Sequence, residues 1–339
     1  MEEEYYEDEF EEQIDFNEVI DALLDASLSF PAKYLSRMSG LEGVELEQLV
    51  ETWPQVSPLR RQRLLEDIES LTDGSFLMEF DEVFKLGLDD ENPQVKQTAI
   101  RGLWENEEPA VGLKLIHILQ NDPNPEVCAQ AASGFGKFIY LGELEEIDQT
   151  ISNRMTQHLI DILSSNKPES VRRRALESLG FSSNPKVTEL IESAHNKQRE
   201  DWTISALIAM GRSANTQWIP QIIENLSHEE AQVRIEAAQS AGLLGAQESV
   251  PHLLQRIDDP EEDVRLAAIW ALSEVGGLDS RAALEGLLKK SQDENEVDFL
   301  EDALENLDFN ELNIDFEMFD IKGEDPDELN DEDDWDEED

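Results

Sequence analysis

The apolar residues of this chain follow a helical spacing, and a longer period lies over it through the middle of the sequence. Val233 and Val264 each begin a stretch in which small or apolar residues follow four, seven and eight positions later. We number this first residue zero; its copies, separated by 32, 44, 31, 31 and 31 residues, are Val95, Val127, Val171, Trp202, Val233 and Val264. Such a period predicts stacked helix pairs, because one pair cannot bury its apolar face without neighbours.

The same register predicts which residues form the core. Position four is Ala in all six copies, and position seven is always Gly, Ala or Ser. Small residues there let adjacent second helices approach closely, whereas positions zero, five and eight are mostly large and apolar. We therefore predict an all-α fold, an α-solenoid of stacked antiparallel helix pairs over residues 75–308. Residues 15–74 have helical spacing without the motif and are predicted to form an atypical N-terminal cap.

Charge separates the two ends of the chain from the repeats. The formal net charge is −53; residues 1–16 hold nine acidic residues and no basic one, and residues 293–339 hold 24 acidic residues against Lys322. We predict a disordered acidic segment at 1–14 and an acidic tail at 309–339 with a short aromatic and apolar segment at 309–321. This field disfavours nucleic acid and anionic membranes, so we expect protein partners with a basic surface.

Several motifs together resemble HEAT repeats, in particular the short HEAT-like units of the phycobilisome lyase family. They are the Asp-Pro turns at 122–123 and 259–260, the Val-Arg pairs at 171, 233 and 264, and the Ala-x-x-x-Leu-Gly ending of residues 175–180. The resemblance covers roughly residues 75–292 and implies a superhelix whose second helices line a concave face. It specifies function weakly, because the fold hosts adaptors, lyases and a metal hydroxylase.

Candidate chemistry is sparse. The five histidines occupy different positions relative to the repeat, and only His228-Glu229 has the dipeptide that, in the hydroxylase branch of the family, occurs in pairs that bind iron. Cys128 lacks the neighbouring base that a nucleophilic thiol needs. We expect Arg172, Arg234 and Arg265 to pair with acids of adjacent turns. We therefore predict no catalytic residue, no metal site and no cofactor.

A candidate binding surface comes from positions two and six of the last three complete copies, which turn apolar except at Gln239. The predicted partner-binding strip consists of Ile204, Ile208, Ile235, Leu266 and Trp270. Exposed contiguous apolar surface usually marks a binding site, although neighbouring helices or the tail could cover these side chains instead. The tail supplies a predicted recognition segment, which includes Phe309, Phe316 and Phe319 and which we expect to cap the last repeat or to lie along the strip.

The sequence thus favours a non-catalytic scaffold or adaptor that binds a protein through the concave face. Two alternatives stay open: an enzyme or enzyme subunit, bilin-lyase-like or a metal-dependent oxidoreductase, and an acidic chaperone that acts through its tails. A single cysteine, the absence of a signal-like N-terminus and the lack of a long apolar run lead us to expect a soluble cytoplasmic protein.

Overall fold

A computed structural model describes residues 14–72 and 78–320 of the chain. This part consists of α-helices and single 3-10 turns and contains no strand. Two compact units divide the chain, Met1–Ala209 and Met210–Asp339, with the boundary inside one helix. The predicted all-α architecture of stacked helix pairs is confirmed.

The first unit begins with three helices that lack the repeat motif and continues with helix pairs. The first three are α1 (Phe16–Leu24), α2 (Gly43–Thr52) and α3 (Pro58–Thr72). The pairs are α4 (Asp81–Gly87) with α5 (Pro93–Gly102), α6 (Pro109–Asn121) with α7 (Pro125–Glu143), α8 (Gln149–Leu163) with α9 (Glu169–Leu179), and α10 (Pro185–His195) with α11 (Glu200–Arg212), whose last three residues belong to the second unit.

The second unit contains three further pairs of the same kind. They are α12 (Ile219–Asn225) with α13 (Ala231–Leu243), α14 (Val250–Arg256) with α15 (Glu262–Val275), and α16 (Leu278–Leu288) with α17 (Glu294–Asp320). Single 3-10 turns, Thr216–Trp218 and Gln247–Ser249, lead directly into α12 and α14.

Proline and asparagine define where many of these helices begin. Asn92, Asn124 and Asn184 are N-caps whose side chains accept hydrogen bonds from backbone N–H groups of the first turn, and a proline follows each of them. Proline at the first helical position sacrifices no hydrogen bond, and each asparagine cap stabilises its helix by about 1 kcal/mol. The turn sequences therefore fix the starts of α5, α7 and α10.

The second helices pack side by side: α5, α7 and α9 in the first unit, where α5 also packs on α3, and α13, α15 and α17 in the second. The valines at position zero, Val95, Val127, Val171, Val233 and Val264, are fully buried. Every alanine at position four is fully buried as well. The core that the register predicts is therefore confirmed.

These second helices approach closely at small residues. Position nine is glycine in α7, α11 and α13. A methyl group added to Gly211 would lie 2.9 Å from Cα of Ser240, and one added to Gly242 would lie 3.1 Å from Cα of Ala271. Both contacts join position nine of one helix to position seven of the next, where only a small side chain fits.

The 44-residue step has a local cause. α7 is 19 residues long and α8 is 15, so the extra residues lengthen the end of one helix and the helix that follows. Tyr140, on the extension of α7, stacks edge-on against Phe181 with ring centroids 5.6 Å apart. The insertion therefore extends two helices instead of forming a separate loop.

Of the predicted domain boundaries, one lies outside the described residues and another falls inside a helix. The boundary at 74/75 lies in residues 73–77, outside the described residues. Residues 1–13 of the acidic segment predicted at 1–14 also lie outside them. The boundary at 308/309 falls inside α17, whose backbone continues to Asp320. Residues 309–320 are therefore part of the last second helix, and the rest of the predicted tail lies outside the described part.

We predict that Gly242→Ala destabilises the second unit, because its methyl group must push against the backbone of Ala271 and the ring of Trp270. Overpacking of this kind costs about 1–3 kcal/mol. Gly286, in α16, has no heavy atom within 4 Å of an added methyl group, and Gly286→Ala should be neutral or stabilise by up to about 1 kcal/mol. Thermal or urea unfolding of both variants measures the difference; equal effects would contradict the close contact.

Candidate functional site

A repeated ion pair links a second helix to the helix on which it packs, through the turn that joins the two helices of one pair. The acid is an Asp five positions before position zero, and the base is Arg61 on α3 or the residue at position one of α5 and α13. The pairs are Arg61–Asp90 at 2.7 Å, Lys96–Asp122 at 2.5 Å and Arg234–Asp259 at 2.7 Å. Each Asp also accepts a hydrogen bond from the backbone N–H two residues further on. One carboxylate therefore shapes its own turn and holds the neighbouring helix.

The pair in the second unit is the most completely bonded. Two nitrogens of Arg234 donate to the two carboxylate oxygens of Asp259 at 3.0 and 2.7 Å, and a third donates to the backbone oxygens of His228 and Glu229. The side chains of Arg234 and Asp259 are only 8% and 2% exposed. Burial alone would raise the pKa of Asp259, but hydrogen bonds from Arg234 and from the N–H of Glu261 hold that pKa below its ordinary value.

The other two arginines of the predicted ladder behave differently. Arg265 donates from Nη1 to the backbone oxygen of Asp259 at 2.9 Å instead of to an acidic side chain. Arg172 lies over the ring of Trp202, with 5.9 Å between its guanidinium carbon and the ring centroid. The prediction of pairing with acids of adjacent turns is therefore confirmed for Arg234 alone of the three.

The predicted strip is divided between the two units. Ile204 and Ile208 lie on α11 in the first unit, whereas Ile235 on α13 and Leu266 and Trp270 on α15 lie in the second. All five are half-buried. The ring of Trp270 lies beside Gly242, where an added methyl group would come within 2.8 Å of it, so part of its burial is contact with the neighbouring helix.

Leu266 also lines a cleft that the sequence did not identify. The cleft lies between the first turns of α15 and α17 and has a volume of about 390 Å³. Leu266, Ile269 and Phe299 supply apolar lining. Its charged and polar lining residues are Glu262, Arg265, Asp293, Asn295 and Glu296. We call it the α15–α17 cleft.

The recognition segment predicted in the tail is only partly described. Phe309 is 63% exposed on α17. The backbone at Phe316 and Phe319 belongs to the same helix, and their side chains lie outside the described part. The role of these three residues stays a prediction.

The histidines take part in local hydrogen bonds. His228 Nδ1 lies 3.1 Å from the backbone N of Glu230, and His158 Nε2 lies 3.3 Å from the side-chain nitrogen of Gln120. Within residues 14–72 and 78–320, no three His, Cys, Asp or Glu side chains come together in an arrangement that could bind a metal ion. The His228-Glu229 dipeptide therefore has no partner ligands in this part of the chain.

Cys128 stands where α5 has Lys96 and α13 has Arg234. Its sulfur lies 3.3 Å from the backbone oxygen of Asp122 and 3.8 Å from Nζ of Lys167. Burial raises the pKa of the Cys128 thiol, and Lys167 offsets this only in part. A buried thiol of this kind is a poor nucleophile.

Comparison with known proteins identifies the repeat. The sequence matches the family model of HEAT repeats over residues 82–180 and 219–305, more than half of the chain. This chain belongs to the HEAT-repeat family. The resemblance drawn from the Asp-Pro turns and the Val-Arg pairs is thus confirmed, and the two matched segments of this HEAT-repeat protein contain all but one of the three Asp–base pairs in full.

Solved structures of similar fold have low sequence identity to this HEAT-repeat protein. The CpcE–CpcF complex of phycocyanin lyase from Nostoc is 20% identical over 69% of this chain and 96% of that chain, with a TM-score of 0.43. Human deoxyhypusine hydroxylase is 17% identical over 78% and 96%, with a TM-score of 0.34. The YibA protein of Escherichia coli is 16% identical over 79% and 98%, with a TM-score of 0.40. No curated protein matches the chain.

Among the described helices, none combines the length and the apolar content that a membrane-spanning segment needs.

We predict that Asp259→Asn destabilises the second unit by about 3–5 kcal/mol, because Arg234 stays buried without its counter-charge. Glu285 pairs with Lys289 on an exposed surface, so the control Glu285→Gln should change stability by less than about 1 kcal/mol. Chemical unfolding measures both, and similar losses would contradict a special role for the buried pair.

The same pair predicts a pH dependence. A carboxyl group whose pKa is lowered by folding stabilises the protein fully above its ordinary value of about 4, and this contribution is lost as the pH falls through the folded-state pKa. The stability difference between wild type and Asp259→Asn should therefore be constant from about pH 7 to 5 and shrink below about pH 4. Unfolding curves across this range measure it; a difference that shrinks at neutral pH would contradict the sign.

Proposed function

We propose that this HEAT-repeat protein is a non-catalytic scaffold whose second unit binds a segment of a partner protein that combines basic and apolar side chains. The observation that carries the proposal is the α15–α17 cleft, in which an apolar lining is accompanied by three carboxylates. Such a lining suits an aliphatic or aromatic side chain followed by a Lys or Arg.

The apolar part of the proposed surface extends beyond the cleft. Leu266 and Ile235 occupy position two of adjacent second helices, and Trp270 lies one turn after Leu266 on α15. Each is half-buried and leaves apolar surface to solvent. Tryptophan is among the residues that contribute most of the energy in protein interfaces, and a partner that removes the remaining water from Trp270, Leu266 and Ile235 gains the burial of their apolar surface.

The charged part comes from both helices that form the cleft. Glu262 precedes Leu266 by one turn, and Asp293 and Glu296 lie at the start of α17. Asp298 and Asp302 are exposed further along α17. Together with the net charge of −53, these acids would draw a basic partner towards the cleft and repel nucleic acid and anionic membranes. A location in the cytoplasm is part of the same proposal.

Two further surfaces enter the proposal as secondary contacts. Ile204 and Ile208 offer half-buried apolar surface in the first unit, and the exposed Phe309 continues the α17 surface away from the cleft. Phe316 and Phe319 remain proposed contacts of the recognition segment.

We predict that a short fluorescent peptide of alternating Lys and Leu residues binds the full chain and stays bound at high ionic strength. Leu266→Ser should weaken this binding about tenfold, because the change removes apolar surface buried by the peptide. Fluorescence anisotropy gives both affinities.

The control is Leu278→Ser on α16, where the leucine is 86% exposed and is not one of the residues that line the cleft. It should bind the peptide as the wild type does. If all three proteins bind equally and salt abolishes the binding, the acidic ends of the chain alone hold basic partners and the proposed cleft function is wrong.

A further inference from the structure

The turn between α10 and α11 reverses the sign of the repeated ion pair. We call the turn between the two helices of a pair, together with the base on the preceding second helix, a joint. Asp90, Asp122 and Asp259 stand five positions before position zero of their helices, whereas Lys197 stands five positions before Trp202, which is position zero of α11. Position one of the preceding second helix is still a base, Arg172. Two cations therefore occupy the positions that form a cation–carboxylate pair at three other joints.

The indole ring of Trp202 contacts the charged side chains at this joint. The Nζ of Lys197 lies 2.9 Å from the centroid of the indole ring, and Arg172 lies over the ring at 5.9 Å. The indole nitrogen donates to Glu169, whose carboxylate also pairs with Arg199 at 2.9 Å. Two acids offset this group of three cations: Glu169, and Asp201, which pairs with Arg199 at 3.4 Å.

The guanidinium of Arg172 is under-bonded. Its Nε is buried and has no hydrogen-bond partner within the described residues. A buried guanidinium nitrogen without an acceptor is costly, and the equivalent Arg234 satisfies its Nε with Asp259. Lys197 stands where an aspartate accepts from the base at three other joints, and Asp201 pairs with Arg199.

Two cations, Arg172 and Arg199, act on Lys197 at this joint. Burial lowers the pKa of Lys197, and the charge of Arg172 and that of Arg199 lower it further against the single opposing effect of Glu169. Glu189 and Glu192 line a shallow depression together with Lys197, but Glu169 is the acid that acts on its pKa. A bound anion would relieve this repulsion.

From these contacts we infer that Arg172, Lys197 and Arg199 form a binding site for a carboxylate group of an acidic ligand, which supplies the counter-charge that an internal aspartate supplies at three other joints. The site is independent of the α15–α17 cleft and has the opposite charge preference. Charge-assisted hydrogen bonds from guanidinium and ammonium groups are the usual means of holding a carboxylate. Both the free dicarboxylate and the side chain of an acidic peptide present this chemistry.

The test follows the indole N–H signal of Trp202 by NMR in the full chain, assigned through its loss in Trp202→Phe. Succinate, an Asp-rich peptide and inorganic phosphate are titrated separately at constant, physiological ionic strength, which limits long-range repulsion to about 8 Å. We expect a saturable shift with succinate and with the peptide. Tighter binding of the peptide would identify a protein segment as the source, and equal affinity per carboxylate would identify a small molecule.

Lys197→Asp is the most informative variant, because it introduces the aspartate found at three other joints and lets Arg172 pair internally. It should raise the melting temperature and weaken binding of either carboxylate probe about tenfold or more. Lys186→Asp makes the same charge change at an exposed position of α10 and should leave the titration unchanged.

Three results would overturn the assignment. They are a Trp202 signal that no carboxylate shifts, carboxylate binding that is the same in the wild type and in Lys197→Asp, and a shift produced by phosphate but not by succinate. Loss of binding in Lys186→Asp to the same extent would show general electrostatic attraction and would also contradict a built site.

Discussion

Close contact between successive second helices is the constraint on which the rest of this structure depends. Where position nine of one helix meets position seven of the next, the space for a side chain is about that of a hydrogen atom, as at Gly211 with Ser240 and Gly242 with Ala271. Contact at this distance brings the alanines at position four and the valines at position zero into a continuous buried row. The helices can then present positions two and six to solvent, where the sequence is free to vary.

The buried ion pairs add orientation to this packing. Asp90, Asp122 and Asp259 each bind a backbone N–H of their own turn and a base of the preceding helix, so the angle at which one pair follows another is tied to a single carboxylate. Breaking such a pair costs far more than its presence contributes, because an isolated charge would stay buried. Lys197 departs from this arrangement, and it is at this joint that three bases gather around one tryptophan.

Much of the fold could be predicted from the sequence, because in a repeat each structural position is observed several times. The period placed Val95 and Val264 in the core, and the recurring alanine at position four indicated where helices meet. The α15–α17 cleft could not be predicted in this way, because residues 293–299, which supply half of its lining, lie beyond the last copy of the motif. The sign reversal at Lys197 was visible in the sequence, but its meaning required the position of Trp202 and the unsatisfied nitrogen of Arg172.

The α15–α17 cleft places acidic side chains beside apolar surface. A scaffold with such a cleft selects its partner by both charge and apolar contact, whereas a polyanion binds any basic protein by charge alone. Hydrogen exchange of the full chain with and without a saturating basic, apolar peptide tests this distinction most directly. Our account predicts slower exchange of the amides in residues 262–269 and 293–299 when the peptide is bound. Unchanged exchange in both segments, with the peptide still bound, would contradict it.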